Sequence, residues 1–351
     1  MNEKIHIALA FYDKTGEHSK FAGTTIVSVF ENTNKSNWQN IVIHILHDET
    51  LTIENKNKFI QLVDAYNGKI NFYNINIDEW CVDKENLENT LSRVSIGTLY
   101  RLTMPKILKN IEKVIYLDTD ILVNCDIKQI NDIDIRDWFI AAVLDNEYMR
   151  KLYVKTKYYQ KAGLDYNDYF NAGVLLMNLT SINKNIDLLK ESISILNKYK
   201  KFSDQDVLNI IFKNRTLFVD DKLNNLINIQ NIKENELKDV LRRQAILHFA
   251  GYLKPWNCAN KEIIKLYYSY MAKTPWIKNI DDLITVMSGI SEQYDKKMDL
   301  KNCLYYKNQY GFADKFLLFI KSILSNKAYY KLLRNLRKYK LYIYFNYICK
   351  G

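Results

Sequence analysis

An apolar run that ends in two carboxylates, Lys-Val-Ile-Tyr-Leu-Asp-Thr-Asp at residues 113–120, constrains the fold of this chain more than any other feature. Continuously apolar runs rich in β-forming residues are typical of strands that are covered on both faces of an α/β sheet. Asp118 and Asp120 would then follow the carboxyl end of a central strand, where open α/β sheets bind their ligands. The motif therefore predicts a site at that edge of the sheet.

The two carboxylates are separated by one residue, and like charges this close repel each other. A cation should therefore lie between them, and a divalent ion that prefers oxygen ligands, Mg²⁺ or Mn²⁺, would supply the charge. By itself, the motif is equally compatible with one helix cap and one surface acid in a loop.

Length and composition predict a globular protein. The chain has 351 residues and is 48% apolar, which is enough to bury a large core. Its first residues lack the pattern of a signal peptide, and no run approaches the ~18 apolar residues that span a bilayer, so we expect a cytoplasmic protein. The cysteines have no paired spacing, which argues against disulfides and zinc, and we expect all five to be reduced: Cys81, Cys125, Cys258, Cys303 and Cys349.

The net charge of +10 suggests a nucleic-acid-binding protein until its position in the chain is considered. Residues 313–351 contain nine Lys or Arg and one Asp, a net charge of +8, so that the preceding 312 residues carry only +2. The basicity is therefore a property of the C-terminal segment, and the near-neutral body argues against a nucleic-acid partner.

Strand and helix signals alternate along the first 260 residues. Apolar runs predict strands at 5–10, 40–47, 70–75, 139–144, 169–178 and from 245, and periodic apolar positions predict helices at 23–31, 51–66 and 186–199. Gly68 should end the second of these helices as a C′ glycine. The alternation predicts an α/β fold with a mostly parallel sheet flanked by helices and with right-handed crossovers. The sequence contains neither a GxGxxG fingerprint nor a P-loop.

Most polar residues in these segments have an ordinary structural explanation when each is considered alone. Arg101, ahead of the central strand, is best explained as a solvated helix cation. Ser203 or Asp204 can cap the next helix, which leaves Asp206 explained only by the helix dipole. His248, in an apolar strand, has the pattern of a core histidine.

Two local signals favour a binding site instead. Gly251 and Lys254 lie three and six residues beyond His248, in a loop suited to a phosphate. The small Ala172-Gly173 pair would let another group approach the backbone of its strand closely. Both signals indicate that His248 could belong to a binding site and not only to the core.

Taken together, four separated segments resemble glycosyltransferase family 8. They are Tyr-Leu-Asp-Thr-Asp at 116–120, Phe-Asn-Ala-Gly-Val-Leu-Leu-Met-Asn at 170–178, Asp-Gln-Asp-Val-Leu-Asn at 204–209 and His-Phe-Ala-Gly-Tyr-Leu-Lys-Pro-Trp at 248–256. Their order and spacing are similar to those of the bacterial α-galactosyltransferases and α-glucosyltransferases of lipopolysaccharide synthesis. The resemblance covers residues 4–260 and implies a GT-A fold and a retaining, metal-dependent enzyme. Such an enzyme moves glucose or galactose from a UDP-sugar to a glycan, lipid-linked or protein-linked acceptor at the cell envelope.

The resemblance also implies a role for individual residues. Asp118, Asp120 and His248 would bind Mn²⁺ or Mg²⁺, and the diphosphate of the UDP-sugar would complete the coordination shell. Gly251 and Lys254 would hold the diphosphate. The other donor contacts would come from Arg101, Thr119, Asn171, Asp204, Gln205, Ala8, Tyr12 and Asp13.

The loop after the first strand departs from the family pattern, in which two acidic residues and an Asn commonly bind the uridine. Here the strand ends in Ala-Leu-Ala-Phe-Tyr-Asp at 8–13. Ala8 should still let the nucleotide approach, and Tyr12 or Asp13 would replace the lost polar contacts. The nucleobase contacts of the loop 10–22 are therefore open.

The candidate catalytic residues are Gln205, Asp206 and Asp204. Retention of configuration requires either a nucleophile on the face of the sugar opposite the leaving group, or attack from the same face with the diphosphate as base. The sequence does not choose between these mechanisms. A competing hypothesis is a metal-dependent nucleotidyltransferase or phosphohydrolase, although such enzymes usually gather more acids around two metals.

The predicted organisation is a catalytic domain at 1–260, a helical extension at 261–312 and a basic, aromatic-rich amphipathic segment at 313–351. In the last segment, apolar residues recur at spacings of 3, 4, 3 and 4, namely Tyr329, Leu332, Leu336, Tyr339 and Ile343. Cations follow the same rhythm on the opposite side, namely Lys327, Lys331, Arg334 and Lys338. Such a helix suits an anionic membrane surface and predicts peripheral binding to the inner face of the cell membrane. The alternative is that it packs on the body.

Overall fold

The computed structural model describes residues 3–279, except positions 93, 155, 201, 230, 231, 233, 252 and 259, and it also describes Asp282. These residues all belong to one compact unit, Met1–Val286. The predicted amphipathic segment at 313–351 and most of the predicted extension at 261–312 lie outside the described residues.

Strands and helices alternate through most of this unit. The strands are β1 (Ile5–Ala10), β2 (Ile41–His47), β3 (Lys69–Asn74), β4 (Lys113–Leu117), β5 (Ile121–Val123), β6 (Ile140–Leu144), β7 (Phe170–Asn178), β8 (Thr216–Phe218), β9 (Asn225–Leu226) and β10 (Ile246–His248). The helices are α1 (His18–Asn32), α2 (Ile53–Asp64), α3 (Lys84–Leu91), α4 (Ile96–Leu99), α5 (Met104–Ile107), α6 (Lys128–Asn131), α7 (Glu147–Met149), α8 (Lys157–Lys161), α9 (Leu179–Asn185), α10 (Leu188–Lys198), α11 (Asp204–Ile211), α12 (Glu234–Arg242) and α13 (Lys261–Met271). Short 3₁₀ helices include Tyr100–Thr103, Asp221–Asn224 and Pro255–Asn257.

The main sheet has the strand order β3-β2-β1-β4-β7-β6-β8. Strands β3, β2, β1 and β4 pair with one another in parallel, and β6 is parallel to β8. Strand β7, between β4 and β6, runs antiparallel to both. The prediction of an α/β fold with a mostly parallel central sheet is therefore confirmed.

The core lies on both faces of this sheet, because side chains alternate between the faces along each strand. In β1, Ile5, Ile7 and Leu9 pack in one apolar cluster with residues of α1, whereas Ala8 and Ala10 pack in a second cluster with residues of α10 and α11. Burial on both faces explains why the central strands are mostly apolar in sequence.

A second, three-stranded sheet has the order β5-β10-β9. Strand β5 begins directly after the two acids, and the antiparallel pairing of β10 with β5 sets His248 opposite Ile121. The backbone N–H of Phe249 donates to the carbonyl oxygen of Asp120 at 3.0 Å. This small sheet is what brings His248 beside the two acids.

The structure corrects the prediction for the end of α2. The helix ends at Asp64, and the residue with the left-handed backbone is Asn67, at φ 56°. Gly68 is required for a different reason, since a Cβ at this position would lie 2.7 Å from Cζ of Phe30. Over the described residues, no helix is long and apolar enough to cross a membrane.

Candidate active site

The two acids lie at the carboxyl end of β4. The N–H of Asp118 donates to the carbonyl oxygen of Gly173 on β7 at 2.8 Å. On the other side, the hydroxyl of Thr25 in α1 donates to the carbonyl oxygens of Thr119 and Ile121 at 3.2 and 2.9 Å. The backbone of the acidic loop is thus fixed by a strand on one side and a helix on the other.

The imidazole of His248 completes a three-residue cluster. Its Nε2 lies 3.4 Å from Oδ1 of Asp120 and 4.0 Å from Oδ2 of Asp118. Ligand atoms of Asp118, Asp120 and His248 all lie within 4.8 Å of one another. Two carboxylates and one imidazole suit Mn²⁺ well and also fit Mg²⁺, so this donor set fits the predicted ion.

Close packing against Gly173 holds the imidazole in place. A Cβ at position 173 would lie 2.2 Å from Cε1 of His248 and 2.9 Å from Oδ2 of Asp118. Only glycine leaves room for both groups, because real Cβ contacts are essentially never this short. The group that approaches the Ala172-Gly173 backbone is therefore the candidate metal ligand itself.

Lysine and arginine side chains balance the charge of the acids. The Lys254 ammonium contacts Oδ2 of Asp120 and donates to the carbonyl oxygen of Phe249 at 3.0 Å. Burial opposes ionisation of Asp120, but the Lys254 ammonium and the contact with His248 outweigh it and hold the pKa of that carboxyl well below its usual range. The acids are thus neither a simple cap nor free surface groups.

Arg101 is not the solvated cation that its sequence context suggested. Its side chain is only 3% exposed, and its guanidinium bridges Asp118, at 2.7 Å, and Asp204, at 3.1 Å. It also donates to the carbonyl oxygen of Ala172 at 2.6 Å and lies 4.2 Å from the ring centre of Tyr116. These contacts tie the acidic loop to the start of α11 and to β7.

The three candidate catalytic residues at the start of α11 have different environments. Asp204 is buried against Arg101, and burial raises its pKa although the guanidinium charge offsets part of the effect. Asp206 is buried too, and it accepts from the N–H of Ser203 at 2.8 Å and from the hydroxyl of Tyr169 at 2.7 Å. Asp206 is thus the capping-box partner of Ser203. Capping therefore explains Asp206 and leaves Asp204 unexplained. The sequence had suggested the opposite, with Asp204 as a possible cap and Asp206 unexplained.

Gln205 lies between these two acids and is only half-buried. Its Oε1 accepts from the N–H of Ala172 at 2.9 Å, and its Nε2 donates to Oδ2 of Asp145 at 2.8 Å. The amide of Asn171 also donates to Asp145, at 3.4 Å. The structure therefore brings Gln205 and Asn171 together through Asp145, which directly follows β6.

The loop after β1 fits the predicted nucleotide site only in part. Ala8 is fully buried in the sheet, and the carboxylate of Asp13 is also buried, where it accepts from the N–H of Ser19 at 3.1 Å and the amide of Asn55 at 3.0 Å. The structure therefore does not bring the side chains of Ala8 or Asp13 to an open surface. Tyr12, in contrast, lines a cavity of about 440 Å³ beyond the ends of β2 and β3. Polar residues that share this cavity are Asp48, Glu49, Asn76, Asp78, Ser95 and Tyr100.

Sequence reasoning missed Asp145, Asn224 and Tyr116. Asp145 had a usable signal, since it is an acid that directly follows an apolar strand. Tyr116, whose hydroxyl donates to Asp118 at 2.7 Å, is hidden within the apolar run. Asn224, which lies 2.9 Å from His248, stands in a polar segment rich in Asn and Lys that carries no distinctive pattern.

Comparisons with known proteins point to one family. A model of glycosyl transferase family 8 matches residues 9–259. The chain is 31% identical to a putative glycosyltransferase of Haemophilus influenzae over 287 residues, or 80% of each protein. It is 25% identical to the lipopolysaccharide 1,2-glucosyltransferase of Escherichia coli K12, over 72% of this chain and 74% of the relative.

Solved structures give the same result for the fold. The galactosyltransferase LgtC, solved in complex with donor and acceptor sugar analogs, has a TM-score of 0.60 with this chain at 22% identity. The match covers 77% of this chain and 96% of LgtC. The predicted GT-A fold is thereby confirmed.

Proposed function

Since the chain belongs to glycosyl transferase family 8, we propose that it moves glucose or galactose from a UDP-sugar to a glycan acceptor at the cell envelope, with retention of configuration. Asp118, Asp120 and His248 would hold a divalent ion, Mn²⁺ or Mg²⁺, and the donor diphosphate would bind beside it. One observation carries the proposal: β4 and β10 bring these three side chains together at the sheet edge where α/β proteins bind ligands.

The charges around this cluster suit a diphosphate leaving group. A divalent ion bound there would neutralise negative charge on the diphosphate as the bond to the sugar breaks. Lys254 places a second positive charge at the same edge, and Gly251, at φ 156°, allows its loop a backbone that other residues rarely adopt. The bound ion and the Lys254 ammonium would stabilise the developing charge better than they stabilise the intact donor.

The cavity lined by Tyr12 supports a place for the nucleoside. It lies beyond the ends of β2 and β3, and Tyr12 provides an aromatic side chain at its edge. Asp48 and Asn76 supply the polar groups that the loop after β1 lacks. A base N–H could therefore be recognised from the neighbouring strand ends instead of from β1.

Gln205 is the residue that we assign to the anomeric carbon. It is more accessible than Asp204 and Asp206, and the contacts of its amide with Ala172 and Asp145 fix its orientation. We expect Gln205→Ala to lower kcat by at least about a hundredfold, or ~2.7 kcal/mol, with UDP affinity nearly unchanged. Steady-state kinetics and UDP titration on one preparation test this expectation.

Asp206→Ala provides the matched comparison for Gln205→Ala. It should cost about 1–2 kcal/mol of stability, because it removes the capping box and leaves the Tyr169 hydroxyl without its acceptor. At temperatures where the variant is folded, its kcat should stay within a few-fold of the original. A larger kcat loss for Asp206→Ala than for Gln205→Ala would instead assign Asp206 to the anomeric carbon and leave Gln205 with a structural role.

The acceptor is proposed to be lipid-linked or at the cell surface, and the basic segment at 313–351 would bring the enzyme to the membrane. We expect the full-length protein to sediment with anionic liposomes and to be released by high salt, because each cation contributes about 1 kcal/mol at such a surface. Truncation after Phe312, or Lys327, Lys331, Arg334 and Lys338 all changed to Glu, should abolish sedimentation and spare UDP-sugar hydrolysis. Unchanged sedimentation of both variants would instead favour packing of this segment on the body.

A donor-hydrolysis screen tests the proposed reaction. Full-length protein with Mn²⁺ should release UDP and free hexose from UDP-glucose or UDP-galactose, faster than from UDP-N-acetyl sugars. Release of UMP and hexose 1-phosphate would instead identify a phosphohydrolase. Within the part of the chain that the structure describes, only one group of three or more His, Cys, Asp or Glu side chains is close enough to hold a metal, which disfavours that two-metal alternative.

A further inference from the structure

Asn224 lies behind the candidate metal site and uses both ends of its side-chain amide. It is 1% exposed, in the 3₁₀ helix that precedes β9. Its Oδ1 lies 2.9 Å from Nδ1 of His248, and its Nδ2 lies 2.9 Å from Oδ1 of Asn171. This buried amide therefore connects the candidate metal ligand His248 with Asn171 on β7.

A backbone N–H at one end of this series of hydrogen bonds sets the orientation of the two side-chain amides. The N–H of Gly173 points at Asn171 at 2.9 Å and can only donate, so the facing atom of Asn171 must be its Oδ1. The atom of Asn224 that meets Oδ1 of Asn171 must then be a donor, its Nδ2. The remaining end of Asn224, its Oδ1, can only accept.

This sequence of bonds determines which imidazole nitrogen carries the proton. Since Oδ1 of Asn224 can only accept, Nδ1 of His248 must be protonated when the bond is made. Neutral imidazole has one N–H, so Nε2 keeps its lone pair, and Nε2 is the nitrogen that faces Asp118 and Asp120. Coordination of a metal ion through Nε2 requires this tautomer.

Asn171 extends the same series of hydrogen bonds toward Gln205, the residue assigned to the anomeric carbon of the sugar. Its amide donates to Asp145 at 3.4 Å, and Asp145 accepts from Gln205 at 2.8 Å. A continuous series of hydrogen bonds thus runs from His248 through Asn224, Asn171 and Asp145 to Gln205.

We propose that Asn224 is a positioning residue with two effects. It fixes the tautomer of His248 for metal binding, and it fixes the orientation of the Asn171 amide, which is linked through Asp145 to Gln205. The inference rests on the proposed function, because it takes the ion-binding role of His248 from it. Neither the sequence motifs nor the comparisons pointed to Asn224.

Two substitutions separate the two bonds. Asn224→Leu has a similar volume and removes both, so it should weaken Mn²⁺ binding by about 10- to 100-fold, the usual effect of losing the hydrogen-bond partner of a ligating histidine. Asn224→Asp keeps an acceptor for Nδ1 of His248 but loses the donor to Asn171. It should bind Mn²⁺ within about threefold of the original affinity and still lower kcat for donor hydrolysis by about tenfold.

Asn86→Leu is the matched control for a buried Asn. Asn86 is 5% exposed and its amide donates to the carbonyl oxygen of Asn197 at 2.7 Å, between α3 and α10. Its loss should lower the melting temperature about as much as Asn224→Leu does, without changing Mn²⁺ affinity. The comparison separates general destabilisation from an effect on the imidazole.

The experiment combines Mn²⁺ titration followed by electron paramagnetic resonance with ¹⁵N NMR of the histidine rings, on full-length protein without donor. The chain has five histidines, so a His248→Gln variant identifies the ring of His248. We expect the Nδ1-protonated tautomer in the original protein and in Asn224→Asp, and a mixture in Asn224→Leu. An Nε2-protonated ring in the original protein, or equal Mn²⁺ affinity in Asn224→Leu, would overturn the inference. If the original protein bound no Mn²⁺ while His248 showed the expected tautomer, the proposed metal function would fail and the ion-binding part of the inference with it.

Discussion

Replacing any one of the three proposed metal ligands should abolish sugar transfer and leave a folded protein. Asp118→Asn and Asp120→Asn each replace a charged carboxylate of the cluster with a neutral amide, and His248→Ala removes the imidazole. A catalytic metal is worth several kcal/mol of transition-state stabilisation, so transfer should fall by on the order of 10³-fold. Transfer rates and thermal melting of the same preparations measure both parts of the expectation.

The three variants differ in how cleanly they test the site. Asp120→Asn leaves the Lys254 ammonium without its carboxylate, and His248→Ala empties a buried position, so both should lower the melting temperature by a few degrees. Asp64→Asn, at an exposed acid that ends α2, is the control and should change neither property. Near-normal transfer by any of the three variants would remove that residue from the proposed metal shell.

Removing the Arg101 guanidinium should have the largest effect on stability. Arg101→Leu leaves the carboxylates of Asp118 and Asp204 without their shared cation, and breaking a buried ion pair costs about 3–5 kcal/mol. That is a large fraction of the 5–15 kcal/mol that typically separates folded from unfolded domains. Activity should fall as well, because Asp118 loses a contact that orients it. Denaturant unfolding and transfer assays check the two effects.

Charge and shape at this position can be separated. Arg101→Lys retains the charge, but one ammonium cannot reproduce the guanidinium contacts with Asp118, Asp204 and Ala172, so it should be intermediate. Arg136→Leu, at an arginine 87% exposed and paired with Asp134, should cost less than about 0.5 kcal/mol. A cost for Arg101→Leu as small as that control would contradict the role assigned to the buried guanidinium.

The loss in Arg101→Leu should also depend on pH. Burial already raises the pKa of Asp204, and removing the guanidinium raises it further. A carboxyl whose pKa is higher in the folded state than in the unfolded state destabilises the fold as pH rises through that window. The stability deficit should therefore grow from acid toward neutral pH. A deficit that is constant from about pH 4 to 7 would mean that Asp204 does not carry the unpaired charge.

The elements that sequence predicted well are those whose signal is local. Strands β1, β2, β4 and β7 have five residues or more and are mostly apolar, because burial on both faces leaves few polar positions to interrupt the pattern. The two acids after β4 were found for the same reason, because the end of an apolar run is visible in the sequence. Strands β5, β8 and β9, of two or three residues, are too short to show a period.

The details of the site depend on long-range pairing, which local patterns do not encode. Considered alone, Arg101 had the pattern of a solvated cation, because nothing near it in sequence shows that Asp118 and Asp204 will enclose it, and only the family resemblance placed it at the site. The same holds for Asn224, whose partners come from β10 and β7. Asp13 was expected at the nucleotide, yet its nearest donors, Ser19 and Asn55, make it a buried loop contact.

The most direct test of the central claim is calorimetric titration of UDP into the full-length protein, with Mn²⁺ and then with EDTA. If Asp118, Asp120 and His248 form the metal site of a UDP-sugar enzyme, UDP should bind at least about tenfold more tightly with Mn²⁺, or ~1.4 kcal/mol. Asp120→Asn should remove that difference, whereas Asp64→Asn should retain it. Equal UDP affinity with Mn²⁺ and with EDTA, or a metal dependence that survives in Asp120→Asn, would contradict the account.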